Sequence, residues 1–80
     1  MQCWLNGRLC NIHDAHVSLL SHSFGRGTAI FEVLEIVTNN RGTALLAIHQ
    51  HLERFTNSAH AMYLNLPYSN EEIVAGIMSC

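Results

Sequence analysis

An α+β fold, with an antiparallel sheet of two hairpins followed by two helices, is predicted by three features of the 80 residues. The dipeptide Asn6-Gly7 divides two short apolar runs, and the residues 39–42 turn the chain between two β-rich runs. Beyond those runs the apolar spacing changes from two to three or four residues, the periodicity of helices on a sheet.

Each element has its own local cause. Both central positions of a type I′ turn need positive φ, which Asn-Gly supplies, so residues 3–10 read as a hairpin. Residues 11–27 read as irregular, with Asp14, Ser18 and Ser21 offering turn and cap oxygens and Gly25 and Gly27 punctuating the end. From Thr28 the β-branched run TAIFEVLEIVT predicts a strand, mostly buried on both sides. Phe31, Val33, Glu35 and Val37 would share one face. TALLAI, residues 43–48, would return as its antiparallel partner.

Residues 49–63 read as a helix, because Leu52, Phe55, Ala59 and Met62 recur on one face. Pro67 closes the following connection. Ser69-Asn70-Glu71-Glu72 has the form of a capping box, flanked by Tyr68 and Ile73 where a hydrophobic staple would sit. A last helix is therefore expected from about Asn70, carrying Ile73, Val74, Ile77 and Met78. With no glycine cap or polar tail at Ser79-Cys80, residues 1–80 read as a single small domain cut from a longer chain.

Composition narrows the function. The chain is 49% hydrophobic and 12% charged, against about 25% charged in an average soluble domain. A partner surface, a second domain or a second copy, is expected to cover the excess. The four basic residues Arg8, Arg26, Arg41 and Arg54 are scattered and form no stripe for a phosphate backbone, which argues against nucleic acid. No apolar run approaches the roughly 18 residues of a membrane span. The N-terminus lacks a signal peptide's charged and apolar regions, and three cysteines are too few for a disulfide framework. A cytoplasmic, reduced protein is expected.

Several motifs read as structure. The six histidines lack the tight spacing and company of a zinc site; His49 and His51 fall about 200° apart on a helix. Cys3 and Cys10 can face each other across the first hairpin, where structural thiols are the default reading. FGRG, residues 24–27, precedes a strand, whereas phosphate-cradling glycines precede a helix, so a tight turn is expected. The chain also has no lysine, the usual amine for covalent capture of a carbonyl. Arg54 is the remaining candidate: a planar, permanently cationic fork suited to phosphate or carboxylate.

The segments WLNGRL (4–9), DAHVSLLSHS (14–23), IFEV (30–33), HLERFTNSA (51–59) and LPYSNEEI (66–73) occur in this order. Together they resemble the N-terminal small domain of the class IV pyridoxal-phosphate aminotransferases, which include branched-chain and D-amino-acid aminotransferases and aminodeoxychorismate lyase. The resemblance covers essentially the whole chain. It implies that Arg54, in the H-L-x-R-[LF]-x-x-S-A helix, binds the phosphate of pyridoxal 5′-phosphate. Ser58 and Ala59, one turn on, would let that helix pack closely. Phe31 matches an aromatic placed against the substrate, and without a hydroxyl it favours an apolar side chain. Arg26, before Gly27, stands where the common pattern often has an aromatic and is a second substrate-binding candidate.

The sequence departs from the family at Phe31-Glu32-Val33-Leu34-Glu35, where branched-chain enzymes read F-E-G-x-R. Glu35 puts an acid where they carry a base, which implies a different handling of the substrate carboxylate. No role is implied for Glu32. Family members are several times longer, and a lysine of their second domain holds the cofactor and moves the proton. The resemblance therefore implies the N-terminal part of an aminotransferase that passes an amino group between an amino acid and a 2-oxo acid. A homodimer is expected, and the 80 residues are expected to be inactive by themselves. The alternatives are a stand-alone, non-catalytic oligomerisation or binding module and a pyridoxal-phosphate lyase of the same family.

Overall fold

Asn6 and Gly7 take φ values of 50° and 83°, and around them β1 (Gln2–Leu5) pairs antiparallel with β2 (Arg8–Asn11). The computed structural model describes residues 1–80, and its elements form two compact units. The first comprises Met1–Thr28 and Pro67–Cys80, the second Ala29–Leu66. The α+β class is as expected, but the two hairpins stay separate as two-stranded sheets.

In the first unit a 3-10 turn (Ile12–Asp14) follows β2, and a short helix α1 (His22–Arg26) interrupts the stretch expected to be irregular. Of the expected cap oxygens, Ser21 Oγ starts α1 by accepting from the Phe24 amide at 3.3 Å, and Ser18 Oγ fixes the turn before it by accepting from the Leu20 amide at 3.0 Å. The 3-10 turn is capped by Asn11, whose Oδ1 accepts from the His13 amide at 2.9 Å. Gly27 ends α1 in the left-handed region at φ 69°, so FGRG is a helix end and turn. The last helix, α3 (Asn70–Ser79), starts as predicted. Ser69 Oγ accepts from the Glu72 amide at 3.1 Å, and Glu72 Oε1 accepts from the Ser69 amide at 3.2 Å.

α3 packs on the β1–β2 hairpin through Gly76 and Trp4. Gly76 is buried, and a Cβ there would stand 2.5 Å from Trp4 Cδ2. The Trp4 ring also meets Tyr68 edge-on, with centroids 5.0 Å apart. A glycine in mid-helix costs about 1 kcal/mol relative to alanine, and here it admits the indole face.

In the second unit β3 (Ile36–Asn39) pairs with β4 (Gly42–Leu45). The Asn39 side chain accepts from the Arg41 amide at 2.8 Å to fix the turn. The long buried strand expected from Thr28 is not formed. Pairing covers only Ile36–Asn39, extended by one hydrogen bond from the Leu46 amide to the Glu35 carbonyl. β-branched composition favours a pleated conformation, but a ladder needs a partner strand, and residues 28–34 have none. Phe31 and Val33 are accordingly exposed instead of buried.

α2 (Ile48–Ala61) carries the fully buried Ala59 and, about two turns earlier, the buried Leu52. Leu52, Phe55 and Ala59 lie on the inward face as the spacing predicted, but the helix stops at Ala61, and Met62, expected to continue that face, is exposed. The helix end has a cause the sequence hid: Tyr63 adopts φ 57°, the Tyr63 amide donates to the His60 carbonyl and the Leu64 amide to the Ala59 carbonyl. That is a Schellman cap built without glycine. Large apolar side chains, including Leu19, Leu20 and Phe24 in the first unit and Phe31, Val33 and Leu46 in the second, remain open to solvent.

Candidate functional site

The second unit joins three polar side chains. α2 places His51 and Arg54 three residues apart, hence on neighbouring positions of one helix face. Glu32, in the unpaired segment before β3, reaches both. Its Oε1 accepts from Arg54 Nε at 2.6 Å, and its Oε2 accepts from Arg54 Nη2 at 2.7 Å. This is the two-pronged geometry of a strong guanidinium–carboxylate pair. His51 Nδ1 lies 2.8 Å from Oε2.

The tautomer follows from the neighbours. Nδ1 faces a carboxylate, so it bears the proton and donates to Oε2. The 3.2 Å approach of Arg54 Nη2 to the same nitrogen is then a contact between two donors that share one acceptor oxygen. The Arg54 fork is the main cause holding the Glu32 carboxyl down at about 2, with the His51 hydrogen bond second. The same pair raises Arg54 above its ordinary value. Glu32 is therefore a fixed anion, and its burden is shared by two donors.

The cluster leaves one edge of Arg54 open. Nε and Nη2 are engaged, Nη1 makes no hydrogen bond within the chain, and the side chain is 66% exposed. Glu32 and His51 side chains are only 13% and 18% exposed. An oriented cationic edge thus meets solvent above a sequestered carboxylate, a geometry that can receive an anion.

The sequence candidates divide as follows. Arg54 stands in this cluster. Phe31 immediately precedes Glu32 in the same segment, 82% exposed. Arg26 is the last residue of α1 and belongs to the first unit. Glu32 and His51 had no assigned role from sequence. The signal for His51 was its three-residue spacing from Arg54. Glu32 lies 22 residues from Arg54, and only the tertiary fold joins them. No three His, Cys, Asp or Glu side chains gather in a form that could hold a metal ion.

The chain is 34% identical to a branched-chain-amino-acid aminotransferase of Pseudomonas aeruginosa over 70 residues, 88% of this chain and 23% of that protein. A probable branched-chain-amino-acid aminotransferase of Aquifex aeolicus is 33% identical over 73 residues, 89% of this chain and 24% of that protein. The chain carries the N-terminal domain of the class IV aminotransferases. A probable branched-chain-amino-acid aminotransferase of Rickettsia typhi is 34% identical across 89% of the chain. The chain spans about a quarter of the length of the curated relatives it matches, at their N-terminal end. No family model and no solved structure matches it. No helix is long and apolar enough to cross a membrane. Within this aminotransferase domain, the Glu32–His51–Arg54 cluster occupies two of the five segments that carried the resemblance, IFEV and HLERFTNSA.

Proposed function

We propose that this domain holds the phosphate of pyridoxal 5′-phosphate in a cytoplasmic amino-acid aminotransferase that passes an amino group between an amino acid and a 2-oxo acid. The observation that carries the reading is the open Nη1 edge of Arg54, oriented by the Glu32 fork. The donor set fits the phosphate end of the cofactor: a guanidinium that stays charged, with unused N–H groups on its exposed side. When bound, pyridoxal 5′-phosphate supplies the electron sink for transamination.

The chain's own residues bind and orient. Arg54 donates from Nη1 to a phosphate oxygen. Glu32 fixes the guanidinium plane, and His51 donates to the same carboxylate, so neither competes for the phosphate. Phe31 offers an exposed apolar ring to the substrate side chain. Arg26, at the end of α1 in the other unit, is kept as a separate substrate-binding candidate. With no lysine among the 80 residues, the amine that holds the cofactor and moves the proton has to come from outside them. A second copy of the chain, in a homodimer, is part of this reading, and the exposed apolar side chains support it.

Pyridoxine 5′-phosphate, which lacks the aldehyde, tests the phosphate contact alone. Its phosphorus resonance, followed during titration with the chain, is expected to shift, whereas unphosphorylated pyridoxine binds far more weakly. Arg54→Ala is expected to weaken binding roughly tenfold to a hundredfold, the loss of a hydrogen bond to a charged group. Equal affinities for the two ligands, or an unchanged Arg54→Ala titration, would reject the assignment.

A further inference from the structure

The first hairpin brings two thiols together that the aminotransferase reading does not use. Cys3 and Cys10 are directly opposite in the β1–β2 register, and their Sγ atoms lie 3.5 Å apart. Leu5 and Arg8 flank the two-residue turn, so alternation down the ladder makes Cys3 and Cys10 a hydrogen-bonded pair. The Ile12 amide donates to the Met1 carbonyl at 3.0 Å, two positions further, in agreement with that phase. Such pairs have Cα atoms about 5.5 Å apart, inside the span of about 4.4–6.8 Å that a disulfide bridges. The Cβ atoms of such pairs lie at the wide end of about 4.5–5.5 Å, so closing the gap to about 2.05 Å takes side-chain rotation together with a small approach of the two strands at this position.

We propose that Cys3 and Cys10 form a reversible redox modification site, closed by thiol–disulfide exchange with a small-molecule disulfide such as oxidised glutathione. One protein thiolate attacks a glutathione sulfur, forming a mixed disulfide and expelling glutathione thiolate. The facing thiolate then attacks the protein sulfur of that mixed disulfide and expels the second glutathione thiolate. The protein gives up two electrons and two protons, and the oxidant becomes two molecules of glutathione. Both cysteines are partly exposed, so a small oxidant reaches them without unfolding. Both strands pack on α3, so the bond would tie together the two strands beneath that helix.

The full chain, incubated with oxidised glutathione and mapped by mass spectrometry after proteolysis, gives the test. The expected product is two hydrogens lighter, linked Cys3 to Cys10, and restored by dithiothreitol. Cys80→Ser should close the same bond, while Cys3→Ser and Cys10→Ser should stop at a glutathione adduct. The oxidised chain should also melt at a higher temperature than the reduced one. Stable double glutathionylation, or predominant linkage through Cys80, would overturn the proposal. So would Cys3–Cys10 closure that proceeds no faster in the native chain than in the same chain unfolded by guanidinium, because the hairpin would then be contributing nothing.

Discussion

The two units are each held together internally by contacts of different kinds, although the buried Leu52 and Ala59 both belong to the second. In the first, stability comes from shape: α3 lies on the hairpin because Gly76 leaves room for the Trp4 ring, with Tyr68 against its edge. In the second, a long-range polar contact joins the unpaired segment to α2, where Glu32 meets His51 and Arg54. Shape-based contacts tolerate little added volume, whereas ionic contacts tolerate volume but depend on charge state. The difference separates scaffold from site. The joint on Trp4 is held by ring contacts and carries no ionised side chain, while the polar cluster holds one arginine edge in reserve for an anion.

The largest effect is expected where shape decides. Gly76→Ala adds a methyl that would stand 2.5, 2.8 and 2.9 Å from three atoms of the Trp4 indole. Overpacking of this kind costs about 1–3 kcal/mol, against a gain of about 1 kcal/mol in helix propensity. A net loss of stability is expected, with a change in Trp4 fluorescence as the ring is displaced. A more stable Gly76→Ala protein with unaltered emission would mean that α3 does not rest on the indole, and the contrast between the units would collapse.

A smaller effect of opposite sign is expected at the end of α2. Tyr63 is held at φ 57°, in the left-handed region, with its side chain 97% exposed. Tyr63→Gly relieves roughly 1–2 kcal/mol of backbone strain and gives back about 0.5–1 kcal/mol as chain entropy. The thermal midpoint should rise by the equivalent of about 1 kcal/mol or less. A fall would show that the tyrosine ring contributes more than its exposure suggests.

Tyr63 also marks where the sequence stops being legible. Features with a local cause were readable: the Asn6-Gly7 turn, the Ser69/Glu72 box, the Leu52–Ala59 face of α2. A left-handed tyrosine is imposed by the helix's need to satisfy its last carbonyls, and no residue announces it. The strand expected from Thr28 failed for a related reason, since β propensity cannot supply a partner. Arg54 was legible through its motif neighbours. Its clamp was not, because Glu32 is joined to it across 22 residues by tertiary contact.

The smallest effect on stability is expected at that clamp, and it is the one that depends on pH. Arg54 is two-thirds exposed, so water screens much of the pair's Coulomb energy. Glu32 nonetheless titrates at about 2 instead of 4.5, chiefly because protonation breaks its bonds to Arg54. A carboxyl whose folded value is depressed binds protons less readily folded than unfolded. Its contribution is therefore complete above 4.5 and is lost as pH falls through that value towards about 2. A carbon-detected titration of the Glu32 carboxyl should stay flat from neutral pH to below 4.5 and move near 2. Arg54→Ala should bring the midpoint back towards 4.5, with His51 alone retaining part of the depression. A wild-type midpoint already at 4.5 would mean that the fork is not formed in solution, leaving Arg54 unoriented and the phosphate edge without its support.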